Sequence, residues 1–208
     1  MAFAALKANG SVVTWGKGGR GGDSSSVADL LAEGVAQVCG NVGAFVARLS
    51  NGSVVTWGSP HFGGDSSKVA QHLTEGVVQV CGTNTACAAL MIDGSVVTWG
   101  DDAAGGDSSG VASLLTEGDI ISVTGSGGAF AAIRQNGCVV TWGDDAEGGD
   151  SSEVAALLTE GVVHICGIEQ AFAAIKADGS VVTWGQQVVG GDSSAVAHLL
   201  KEGVTAIF

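Results

Sequence analysis

The 208-residue chain is 46% hydrophobic and only 14% charged, which excludes a disordered polyelectrolyte and supplies enough apolar mass for one domain over residues 1–208. Its formal net charge of −13 makes nucleic acid and anionic membrane surfaces poor partners and points to a protein partner, a basic one by charge. Thirty-five glycines against one proline mean that the turns draw on glycine's conformational range rather than on proline's rigidity.

The string VVTWG occurs five times, and its tryptophans Trp15, Trp57, Trp99, Trp142 and Trp184 are spaced by 42, 42, 43 and 42 residues. GGDSS keeps the same beat. A period near 42 over the whole chain is the mark of a propeller or solenoid built from one supersecondary unit. The units run Val35–Gly76, Val77–Gly118, Asp119–Gly161 and Val162–Gly203, with a fifth split between residues 1–34 and 204–208.

Within a unit the first element is a short β-branched run: VAQVC, VVQVC, IISVT, VVHIC, and VTAIF at the end of the chain. A second strand follows at Ala44–Leu49, Ala86–Met91, Ala129–Arg134, Ala171–Lys176 and Ala2–Lys7. Asn-Gly or Asp-Gly then predicts a type I′ hairpin into the third strand, SVVTWG. The GGDSS segment predicts a short helix per unit, N-capped by Asp23, Asp65, Asp107, Asp150 and Asp192 and ended by Gly34 and its equivalents. Glu33, Glu75, Glu117, Glu160 and Glu202 sit at the unfavourable helix C-terminus, and this has no structural account in the sequence. The whole predicts a mainly β, closed five-bladed β-propeller with three strands and one short helix per blade. Pairing of Val204–Phe208 beside Ala2–Lys7 would join the termini and remove exposed sheet edges.

The repeats in "AFAALKANGSVVTWGKGGRGG" and "ACAALMIDGSVVTWGDDAAGG" resemble those of the regulator of chromosome condensation family, across about half of each of the five units. The resemblance implies a β-propeller and, through the family's founding member, nucleotide exchange on a small GTPase. This chain departs from the pattern in its shorter units, in GGDS where the family carries G-Q-L-G, and in lacking the histidine of the second strand. No functional residue carries across.

The tryptophans, on the valine face of the third strand, are expected as wedges between blades, with aromatic sugar subsites as the alternative. The repeated serines have no matched histidine, so no nucleophile is activated and no catalytic site is assigned. No cofactor or metal is expected. His61, His72, His164 and His198 fall at four different unit positions, without ligand spacing; His72, standing where other units have leucine, is expected to be buried. The odd count of five cysteines, three of them at one unit position (Cys39, Cys81, Cys166), predicts free thiols held in separate blades, and so a cytoplasmic protein; a monomer is expected. What varies is the four-residue loop after each WG, and loops carry recognition. The candidate interaction residues are therefore Lys17, Arg20, His61, Phe62, Asp101, Asp102, Asp144, Asp145, Glu147, Gln186 and Gln187. The reading is a non-enzymatic interaction scaffold; a multivalent glycan-binding lectin and a guanine-nucleotide exchange factor are the alternatives. Arg48 is singular: its unit position holds Leu6, Leu90, Ile133 and Ile175 elsewhere, so it faces an interior unless a bulge turns it out, its stem reaches the surface, or a carboxylate meets it.

Overall fold

The computed structural model describes residues 1–208 throughout. β1 (Ala2–Leu6) and β2 (Val12–Gly16) form a two-stranded antiparallel sheet. Four three-stranded antiparallel sheets follow: β3 (Val35–Gly40), β4 (Ala44–Leu49) and β5 (Val54–Gly58); β6 (Val77–Gly82), β7 (Ala86–Met91) and β8 (Val96–Gly100); β9 (Ile120–Gly125), β10 (Ala129–Arg134) and β11 (Val139–Gly143); and β12 (Val162–Gly167), β13 (Ala171–Lys176) and β14 (Val181–Gly185). Each sheet is one blade, and β3, β6, β9 and β12 pack side by side in succession. The first strand of every complete blade carries a bulge, as between Val35 and Gln37, that no residue in the sequence announces.

The expected closure is not formed. Val204–Phe208 makes no strand, and the first sheet keeps two strands where the others have three. The face of the first blade is consequently open: Phe3 is 61% and Trp15 50% exposed.

The hairpins differ from type I′. Only glycines take positive φ, Gly10 at 79°, and Lys7 N–H donates to Ser11 O at 2.8 Å across a three-residue loop. This is the common type I turn with a left-handed glycine, and the Asn9 carboxamide supports it by accepting from Ser11 N–H. The predicted α-helices are short 3₁₀ turns, such as Ser25–Leu31 and Ser67–His72; only the unit Val77–Gly118 adds one α-helical turn, α1 (Ala112–Thr116). Helical segments of only six or seven residues are too short for a self-supporting i→i+4 ladder. Nor do the aspartates cap these turns: Ser24, Ser66 and Ser108 occupy the N-cap position, and Asp23 folds its own backbone by accepting from Ser25 N–H at 2.9 Å.

The apolar core is divided into four clusters, one at each junction between neighbouring blades. At the first, Leu31, Val35, Phe45, Ala47, Val55 and Trp57 are buried against Ala2, Ala4 and Val12. The Phe45 and Trp57 rings stack at 5.3 Å, as do Phe130 with Trp142 and Phe172 with Trp184. In the third blade Cys87 stands opposite Trp99 instead. Trp57, Trp99, Trp142 and Trp184 each donate their indole N–H to a glycine carbonyl of the preceding blade, Gly21, Gly63, Gly105 and Gly148, at 2.9–3.1 Å. Those glycines are left-handed, and a Cβ on Gly21 would lie 2.5 Å from the Phe45 ring. Thr56 meets Ser66 at 3.1 Å, and the same threonine–serine contact recurs in every unit. The conserved letters of both repeated strings are thus consumed by the fold.

Cys39, Cys81 and Cys166 lie in separate blades, on β3, β6 and β12, Cys39 packs against the cluster that holds Cys87 at the junction of the second and third blades, and all five thiols are free. Burial pushes the Cys39, Cys81 and Cys87 thiols up, which keeps them protonated and unreactive. His72 is exposed, its ring touching Gln71, contrary to the expectation of burial.

Arg48 keeps the register of its aliphatic counterparts, since Gln37 pairs with Arg48 as Gln79 does with Leu90. The bulge is common to all complete blades and does not turn Arg48 outward. No carboxylate meets it: Arg48 is half-buried, with Nε buried and without a hydrogen-bond partner. Of the three possibilities only the stem lying along apolar surface remains. An unmade buried hydrogen bond costs about 1–3 kcal/mol, so Arg48→Leu is expected to raise stability by up to that amount in urea unfolding. Trp99→Ala removes both a buried indole and a junction hydrogen bond and is expected to cost about 3–5 kcal/mol in the same measurement.

Candidate functional site

Each variable loop forms a 3₁₀ turn at the tryptophan end of the third strand: Gly18–Arg20, Pro60–Phe62, Asp102–Ala104, Asp145–Glu147 and Gln187–Val189, each closed by a left-handed glycine. The backbone is therefore uniform, and only the side chains differ from blade to blade. Polar residues in the turns between first and second strands hold three of the loops. Asn41 Nδ2 donates to Phe62 O at 2.7 Å, Thr83 Oγ1 to Ala104 O at 3.1 Å and Ser126 Oγ to Glu147 O at 2.9 Å. Ile168 stands at the corresponding place in the last blade and offers no such bond. These turns and the loops share one face, on which Asn41, Thr83, Asn84, Ser126, Gly127 and Glu169 line a shallow polar depression of about 340 Å³.

The candidate residues take distinct parts. Asp101 and Asp144 fold their own turns by accepting from Ala103 N–H at 3.1 Å and Ala146 N–H at 2.9 Å. Asp102 and Asp145, next in sequence, are exposed and make no such bond, so they are the free charges of the acidic sector. Glu147 is half-buried and accepts from Gln170 Nε2 at 3.3 Å, which fixes its carboxylate against the blade. Arg20 donates to Val42 O at 3.2 Å and lies 5.3 Å over the Phe62 ring, so two neighbouring loops are tied by a cation–π contact that the sequence did not disclose. Lys17, His61, Gln186 and Gln187 are exposed.

Sequence reasoning also missed Asp119, the extra residue of the 43-residue unit. Its carboxylate takes Arg134 Nε at 2.8 Å, and the same guanidinium bonds Glu117. Of the five repeated glutamates Glu117 alone acquires this ion pair, so the five do not act as a set. Trp57, Trp99, Trp142 and Trp184 are 3–5% exposed and cannot serve as sugar-stacking platforms, whereas Trp15 is 50% exposed.

Open-ended sheets of this kind, repeated and joined through interlocking tryptophans, define a β-propeller repeat protein. The chain resembles Prp20p of Saccharomyces cerevisiae, with a TM-score of 0.58 at 17% identity over 89% of this chain and 55% of that one. It resembles human WBSCR16 with a TM-score of 0.61 at 18% identity over 99% of this chain and 65% of that one. The ectodomain of the receptor kinase CR4 from Physcomitrella patens matches at 0.56 and 15% identity, over 88% and 49%. The repeats are thus RCC1-like in fold, in agreement with the resemblance carried by the WG strands. The chain spans about half to two thirds of the length of those structures. No family model matches the sequence, and no curated protein does.

Backbone N–H donation from Ser25, Ser67, Ser109, Ser152 and Ser194 holds the carboxyls of Asp23, Asp65, Asp107, Asp150 and Asp192 below their ordinary value of 3.8. Their folded values are depressed, so whatever they contribute to the turns is complete above 3.8 and is lost as pH falls through the lowered values. Carboxyl titration by NMR is expected to place the midpoints of these five aspartates below 3.8; midpoints at or above that value would show the turns unformed in solution.

Proposed function

We propose that this chain is a non-enzymatic interaction scaffold that reads a basic protein partner with the loop face of its blades. The observation that carries this is the pairing of a constant loop backbone with variable side chains, with the free carboxylates Asp102 and Asp145 on adjacent blades. A rigid frame that varies only at loop side chains suits recognition, and no step of bond making is served by any set of groups on that face. Structures of the same fold support a protein partner: Prp20p is described with binding to Gsp1p and histones and was solved with Kap60.

A charge-directed contact is lost when its charges are reversed. The double variant Asp102→Lys, Asp145→Lys is expected to bind lysine- and arginine-rich peptides at least about tenfold more weakly in fluorescence anisotropy, with unchanged melting. Undiminished binding would refute the acidic sector as the recognition surface. Nucleotide release from a panel of small GTPases, in parallel, tests exchange activity; release accelerated by this chain would replace the scaffold reading with that of an exchange factor.

A further inference from the structure

The four junctions between blades supply a template for a fifth that the chain leaves unmade. On the exposed side of the first blade, Phe3 and Trp15 stack at 5.4 Å with their rings 21° apart, matching the buried Phe130–Trp142 pair at 5.3 Å and 23°. Ala5 and Val13 complete this surface at the positions of the buried Ala47 and Val55. The aromatic pair is therefore already in its junction geometry, but Trp15 has no glycine carbonyl to receive its indole N–H. β1 is also an open edge: in the complete blades the corresponding strand is central and pairs on both sides.

The complementary half lies at the other end of the molecule. Gly190 holds the left-handed φ of 115° shared by the glycines that accept from tryptophan elsewhere, and it borders an apolar cleft of about 180 Å³ with Ala173, Ile207 and Phe208. Val204 N–H donates to Gly179 O at 3.0 Å, as Val35 N–H does to Gly10 O at 2.9 Å at the start of β3. The last residues are thus aimed as a blade's first strand and have no second strand to pair with.

We propose that these two surfaces dock on one another between copies of this chain, head to tail. Val204–Phe208 of one copy adds to β1 of the next as its third strand. The register of β3 on β4 fixes the pairing as Val204 with Lys7, Ala206 with Leu6 and Ile207 with Ala5. Phe3 enters the cleft beside Gly190, and Trp15 donates to the Gly190 carbonyl of the neighbouring copy. The occupant is a second copy because the fit is the chain's own junction, repeated four times internally. The contacting residues named are uncharged apart from Lys7, so the net charge of −13 on each copy opposes association only at a distance, and added salt strengthens it. A heterologous contact of this kind grows into rings or filaments. The assembly departs from the monomer that the sequence suggested.

Sedimentation velocity of the full chain over a wide concentration range tests this, alongside Trp15→Glu and Ile207→Asp. Both substitutions fall outside the four internal junctions, so circular dichroism should be unchanged. The parent chain is expected to form concentration-dependent oligomers, each variant to stay monomeric, and an equimolar mixture of the two to form a one-to-one dimer, since each variant keeps one intact surface. A parent that is monomeric at every concentration overturns the proposal, including the case in which Ile207→Asp lowers its melting temperature, because the tail then pairs within its own chain. Oligomers indifferent to either substitution, or a mixture that stays monomeric, overturn it equally.

Discussion

Everything in this molecule hangs on the contact between one blade's tryptophan, with the Phe or Cys87 opposite it, and the left-handed glycine of the blade before it. A two- or three-stranded sheet of five- or six-residue strands has little independent stability in water. Here each of the three inner sheets is covered on one face by its predecessor and on the other by its successor, and the two outer sheets are covered on one face only. The indole N–H finds the glycine carbonyl, and the absence of a Cβ on that glycine lets the ring approach. Deep burial of the tryptophan therefore leaves no unpaired donor, which is why a residue with a polar edge can sit in every junction.

The sequence displayed this contact through period alone. VVTWG and GGDSS repeat because Trp, Gly, Thr, Ser and Asp are each bonded in the junction or the turn beside it. Every strand but Val204–Phe208, the place of the hairpins and the wedge role of Trp57, Trp99, Trp142 and Trp184 were readable from that pattern. Less readable was the backbone inside the turns. Asp23 at a glycine-serine junction suits an N-cap and an aspartate turn equally. The same holds for Asn9-Gly10, where glycine alone takes positive φ. Closure was not readable either, because register predicts which strands could pair but not whether the blades curve enough to bring them together.

The interaction surface was half legible. Variation marked the loops, but sequence could not separate Asp101 and Asp144, which fold their turns, from Asp102 and Asp145, which remain free. It also gave no sign that Arg20 reaches Phe62 on the neighbouring loop. A loop face built on rigid junctions can vary without disturbing the core, and this separation of roles links the repeat to the proposed scaffold function.

The account's central claim is that burial at a junction, rather than anything intrinsic to a blade, stabilises each unit. Hydrogen exchange of the five indole N–H groups, followed by NMR at concentrations where the chain is monomeric, tests it most directly. The indoles of Trp57, Trp99, Trp142 and Trp184 should exchange slowly, and that of Trp15, which has the same ring partner but no neighbouring blade, should exchange at close to the rate of an exposed tryptophan. Equal protection of all five would contradict the account.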